Sequence, residues 1–264
     1  MRIDYYFIYF VTMSFMGWVY ESLAMTVWHG NWENRGFLYG PIIPIYGLGA
    51  TIGTMFFRFV ITDYSYLKVF LVSFVASFIL EYSISWGLEK LFHAYWWDYS
   101  IAPLNINGRV CLPASLGFGL AGIIIIYLIN PKIWPLIDSL SAVTAKVLAT
   151  IFLIILVADT TLNVTVLSSF DDKVIELDRF INEHVDNLVS TVNPKGKNLK
   201  GAIYDNRERY VDESIDNAAK SMGYLSNNVI RRVMGFRQNG KDKIAFLKNK
   251  INRKLRGIRE NNER

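Results

Sequence analysis

Five apolar stretches, at about residues 5–28, 37–61, 66–92, 110–130 and 143–169, each reach the roughly 20 residues that a helix needs to cross a bilayer core. Backbone in lipid must satisfy its own hydrogen bonds, so the chain is expected to be all-α, a polytopic helical membrane protein of about five spans. The second run is broken. Pro41 and Pro44 each remove a backbone donor, which points to a re-entrant start, and Gly47, Gly49 and Gly53 follow. Gly49-x-x-x-Gly53 is expected to allow close helix packing. No soluble strand precedes these glycines and their spacing is not Gly-x-Gly-x-x-Gly, so a dinucleotide loop is not expected. The first run carries Glu21 and lacks a basic start with a small-residue cleavage site, so it is read as a span and not as a cleavable leader.

Charge divides the chain near residue 170. Residues 1–169 hold 8 Lys/Arg against 9 Asp/Glu, and residues 170–264 hold 20 against 14, so the overall +5 belongs to the C-terminal part. Two regions follow: a transmembrane domain over 1–169 and a basic, helical C-terminal tail over 170–264. In the tail, Val174, Leu177, Ile181, Val185, Leu188 and Val192 recur at helical spacing, a seam for a partner helix or for a homo-oligomer. Asn193-Pro194-Lys195-Gly196 breaks that seam, and a second series runs from Val211 to Val229. From Arg231 to Arg259 a basic amphipathic stretch suits an anionic membrane surface, the alternative being a solvated charged end. It has two aromatics, Phe236 and Phe246, and no recognisable motif, so nucleic acid is not an expected partner. One cysteine excludes an internal disulfide, and three scattered histidines offer no transition-metal site; no metal or cofactor is expected.

The apolar part contains acids where acids are costly. At about 1.5 Å per residue, Glu21 lies about 10 Å inside its span's end, Glu81 about 16 Å, Glu89 about 4 Å and Asp159 about 15 Å. If odd-numbered spans share one direction, all four carboxylates fall in one half of the bilayer, with Arg35 and Arg109 at the entries to the second and fourth spans. An intramembrane acid points inward to a partner or a cavity. The expected site is therefore Glu21, Glu81, Glu89 and Asp159 against Arg35 and Arg109. Asn34, Asp98, Asn105 and Asn107 join it from the loops, beneath the aromatic stretch Tyr95-Trp96-Trp97-Asp98-Tyr99. The same residues admit a plainer reading, acid–arginine pairs that hold helices together with an interfacial aromatic belt.

A weak internal repeat runs through these residues. Trp18-Val-Tyr-Glu21 matches Trp86-Gly-Leu-Glu89, and Asn34-Arg35-Gly-Phe-Leu38 answers Asn107-Gly-Arg109-Val-Cys-Leu112. Pro41 answers Pro113, and Gly47-Leu-Gly49 answers Gly117-Phe-Gly119. Two hairpins in the same orientation make a parallel repeat about an axis along the membrane normal.

The run from Gly17-Trp18 and Glu21, through Asn34-Arg35-Gly36-Phe37-Leu38-Tyr39-Gly40-Pro41 and Pro44-Ile45-Tyr46-Gly47, to Glu81, Trp97-Asp98-Tyr99 and Asn105-Ile-Asn107-Gly-Arg109, resembles a bacterial membrane family. That family is catalogued as putative ABC-transporter type IV permeases, and the likeness covers about residues 5–130. It implies a permease architecture; no Walker A loop is present here, so an ATPase partner would be a separate subunit, although no cytoplasmic coupling loop of the kind ABC permeases offer one is evident. Three functions stay open: a permease that moves or binds a small solute or ion at the Glu/Asp–Arg cluster, a lipid-modifying membrane enzyme, and a membrane scaffold or regulator. Basic residues near the span ends tie between the two faces, and only the distant tail favours its own side as cytoplasmic. The protein is accordingly expected to be a multi-pass protein of the cell membrane, with the tail and the charged cluster on its cytoplasmic side.

Overall fold

The computed structural model describes residues 2–30, 35–92, 94–191, 235–238 and 241–242. Two compact units divide the chain, Met1–Lys90 with Trp96–Asn163, and Leu91–Tyr95 with Val164–Arg264.

In the first unit, α1 (Ile3–His29) ends on Gly30, whose φ of 74° lets its N–H close on the Thr26 carbonyl. The chain returns through an irregular segment to α2 (Pro44–Phe59), where proline in the first turn removes only a donor that the helix leaves idle. α3 (Tyr66–Phe92) follows, then a loop, then α4 (Leu112–Ile124). A π turn (Ile125–Ile129) joins α4 to α5 (Asn130–Asp138). Pro131 lies just beyond it, and the wider turn accommodates a ring that would crowd the carbonyl four residues back in a regular helix. α6 (Ala142–Thr191) is a single helix of 50 residues. The fourth apolar run thus continues past its expected end near residue 130, as one 27-residue span from Leu112 to Asp138.

Among the described residues, three helices are long and apolar enough to cross a membrane: Tyr66–Phe92, Leu112–Asp138 and Ala142–Ser168. α2 has 16 residues, about 24 Å, because the first part of the second apolar run is not helical.

Small residues set the packing. Gly47 lies against Ser14 Oγ and the Phe10 carbonyl of α1, and Gly17 of α1 receives the Tyr46 ring. Between α4 and α3, a Cβ added at Gly119 would fall 2.7 Å from the Phe70 ring, and one at Gly122 would collide with Ser73, so both positions need glycine. The expected Gly49-x-x-x-Gly53 contact does not form: a Cβ at Gly53 meets nothing within 4 Å, and at Gly49 only Leu80, at 3.4 Å. Gly47 faces α1, and the other two fall on a different side of α2. A core of Tyr5, Ile8, Tyr9, Met13, Ala50, Ile137, Ala145 and Ala149 ties α1, α2, α5 and α6 together. Within it Tyr9 donates to Asn130 Oδ1 at 2.6 Å and lies 3.1 Å from Thr54 Oγ1, to which Asn130 donates at 3.0 Å.

In the second unit, β1 (Ala94–Tyr95) pairs antiparallel with β4 (Gly235–Gln238), and β4 with β5 (Lys241–Asp242). These strands depart from the helical reading of the tail. Gln238 and Lys241 are paired, and the residues between them in sequence are Asn-Gly, the dipeptide that favours two-residue hairpins. Residues 192–234 and 243–264, including the Val211–Val229 series and most of the basic amphipathic stretch, lie outside the described residues.

Candidate functional site

The segment between α1 and α2 positions the site. Leu38 and Ile43 are buried in the bundle, and the Ile43 N–H donates to the Ser14 carbonyl, near the middle of α1, at 3.0 Å. Irregular backbone at that depth must be covered by protein. Asp159 of α6 covers it: its carboxylate accepts the Tyr39 N–H at 2.9 Å and the Gly40 N–H at 2.8 Å, and Asn163 Nδ2, one turn on, donates to it at 2.7 Å. Asp159 therefore holds backbone, and neither arginine is its ion-pair partner.

Each arginine meets the glutamate of the helix before it. Arg35 Nε lies 3.4 Å from Glu21 Oε1, with the side chains 19% and 26% exposed. Arg109 donates to Glu89 Oε2 at 2.7 Å, with 11% and 10% exposed. The Arg109 guanidinium also lies 5.5 Å from the Tyr82 ring centroid, within cation–π range. Phe37 and Trp96, with ring centroids 5.3 Å apart, bring the two entry loops into contact.

The loop that delivers Arg109 is a hairpin, β2 (Asn105–Ile106) against β3 (Val110–Cys111). Asn107 (φ 54°) and Gly108 (φ 67°) occupy its turn, closed by the Arg109 N–H donating to the Ile106 carbonyl at 3.0 Å. Two successive positive φ values make this a type I′ turn, which Asn-Gly supplies. Asn105 donates to the carbonyls of Ser100 and Ala102 and accepts the Gly108 N–H. Asp98 accepts from the Ser100 N–H and hydroxyl, and Asn107 donates to the Tyr82 hydroxyl at 3.2 Å. Asp98, Asn105 and Asn107 thus brace the hairpin. Asn34 lies outside the described residues.

Glu81 differs from the other acids. It is 4% exposed; the Tyr99 hydroxyl donates to Oε1 at 3.2 Å, and Oε2 has no donor among the described residues. Burial first, and the adjacent Glu81 carboxyl second, push the Tyr99 phenol upward, so Tyr99 remains a protonated donor. Glu81 also lines a groove of about 610 Å³ between α2 on one side and α3 and α4 on the other. Among the described residues, no group of three or more His, Cys, Asp or Glu is arranged to hold a metal ion.

Tyr82 and Tyr99 escaped the sequence-based candidate list as hydrogen-bonding groups, since tyrosines are frequent in apolar sequence. The Tyr9–Thr54–Asn130 cluster escaped it too. Its signal was an asparagine next to a proline inside an otherwise apolar run.

Residues 8–164 match the profile of the family described as "Putative ABC-transporter type IV". The chain belongs to this family. No curated protein and no solved structure matches it. Every described residue of the site, from Glu21 to Asn163, falls inside the type IV match, which together with the three apolar helices places the protein in a membrane.

Proposed function

We propose that the protein is the membrane-embedded part of a permease, in which Glu81 and the charged groups around it bind and move a small solute or ion. The observation that carries this reading is the Glu81 carboxylate. It is buried, one oxygen lacks a donor, and the nearby arginines are already engaged with Glu21 and Glu89. An intramembrane acid that no cation pairs is a functional group by default, because burying it is costly and a neutral acceptor would satisfy Tyr99 equally well. The matched pairs Glu21–Arg35 and Glu89–Arg109 act as the frame, and Asp159 secures the broken segment. This division merges both sequence readings: the arginine pairs join the helices, and Glu81 meets the cargo.

The architecture we infer has five membrane segments, with α1 as the first and the irregular stretch plus α2 as a re-entrant second. The two hairpins, α1–α2 and α3–α4, form a parallel repeat. Support comes from their equivalent internal pairs, Arg35 on Glu21 and Arg109 on Glu89, and from the proline in the first turn of both α2 and α4. The basic tail lies on the cytoplasmic side against anionic lipid, and energy comes from a separate ATPase subunit, as family membership favours.

Proteoliposomes containing the purified chain, offered a panel of labelled cations, anions and neutral solutes, test the function. Flux of at least one solute above protein-free vesicles, lost in a folded Glu81→Gln variant, is the expected result. Turnover of labelled phospholipid without flux of any solute would replace this reading with a lipid-modifying enzyme.

A further inference from the structure

We infer that the groove between the two hairpins binds a lipophilic monocation, an apolar body bearing a protonated amine, with the amine on Glu81. This inference names a substrate class and rests on the permease reading.

The walls are supplied by residues such as Gly53 and Phe57 of α2, Ala76 and Leu80 of α3, and Phe118 of α4. Among the described residues that line the groove, Glu81 carries the only charge. Its volume of about 610 Å³ falls inside the roughly 300–1,000 Å³ of sites that enclose drug-sized ligands. Ile52, Leu71, Val75 and Ile79 line it and are exposed apolar side chains, so its opening faces hydrocarbon and a ligand enters from the bilayer.

Complementarity narrows the occupant. A lipid acyl chain would fill the apolar walls but leave Glu81 Oε2 buried without a donor, which is costly for a carboxylate. An anion would be repelled. A hydrated inorganic cation would satisfy the carboxylate but not the apolar walls. A lipophilic ammonium meets both demands, since it brings an N–H donor to Oε2, a positive charge that no nearby arginine supplies, and an apolar body. The Tyr46 and Phe118 rings, with centroids 5.9 Å apart, also line the groove and offer aromatic faces of the kind that attract cations.

The test uses the full chain in lipid nanodiscs and two fluorescent probes, a dansylated long-chain alkylamine and its N-acetylated, uncharged analogue. The wild type is expected to bind the amine at least about tenfold more tightly than the analogue, and Glu81→Gln to bring the two within about twofold. Gly53→Leu, which projects a side chain where a Cβ meets nothing within 4 Å, is expected to weaken amine binding by about tenfold or more in a folded protein. It keeps the inference falsifiable should Glu81→Gln fail to fold. Equal binding of both probes, or amine binding insensitive to Gly53→Leu, would overturn it. If no amine binds while another solute shows Glu81-dependent flux, only the substrate class falls. If the amine binds as expected and nothing is transported, the permease reading falls and the site stands.

Discussion

Arg109 and Glu89 form the tightest ion pair of the site, so removing one partner strands a charge in a low-dielectric setting. Arg109→Gln is expected to cost about 3–5 kcal/mol, and the double variant Glu89→Gln/Arg109→Gln to recover most of that loss. Arg35→Gln should cost less, because Glu21 and Arg35 are longer-ranged and more exposed. Melting temperatures in detergent rank the variants; a larger fall for Arg35→Gln than for Arg109→Gln would contradict the ordering. Glu81→Gln is expected to change stability by no more than about 1 kcal/mol, since an amide oxygen still accepts from Tyr99 and no cation is stranded. At this scale much was legible: acids and arginines at shared depth in apolar sequence identify themselves by their cost. Which acid meets which arginine was not, because the pairing depends on loop geometry. Asp98, Asn105 and Asn107 show the limit. They looked like ligands because they are polar and near the site, yet the Asn107-Gly108 turn signal already implied a structural task.

Between elements, Gly47 decides whether α1 and α2 close, because any Cβ there meets Ser14 and the Phe10 carbonyl, which is backbone and cannot swing aside. Gly47→Val should therefore separate the hairpin, seen as loss of the folded fraction in size-exclusion chromatography. Gly53→Ala has open space, and better helix propensity should make it neutral or stabilising by up to about 1 kcal/mol. The reverse order would mean that the Gly49-x-x-x-Gly53 face is the packed one after all. Sequence showed that α2 holds small residues, but a spacing motif does not say which side of a short helix meets its neighbour. The broken start of the second run was legible from Pro41 and Pro44 in the same way. Its cover was less so, because Asp159 lies about 120 residues away and reaches it only through the fold. The π turn had a local cause in Pro131, and still went unread because periodicity treats an apolar run as a uniform helix.

Considered whole, the first unit makes a statement about sidedness that can be tested without knowing any substrate. The chain leaves α1 and α3 toward loops that carry Arg35 and Arg109, and these loops touch through Phe37 and Trp96, so both belong to one end of the bundle. Tyr5 donates to the Leu140 carbonyl at 2.7 Å, which places the turn between α5 and α6 beside the start of α1, at the other end. If the bundle spans the bilayer as we propose, Ser100 and Ser139, both exposed, lie on opposite membrane faces. Cys111 is 2% exposed and can be replaced by alanine, leaving a background in which single cysteines at Ser100 or Ser139 are the sole targets. A membrane-impermeant maleimide applied to intact cells should label Ser139→Cys and spare Ser100→Cys, with both labelled after permeabilisation, because the charged cluster is placed on the cytoplasmic side. The opposite pattern would keep the architecture and invert the protein. Labelling of both from outside would remove α4 and α5 as a membrane crossing, and with it the burial that makes Glu81, without a donor for one of its oxygens, a group in need of a ligand.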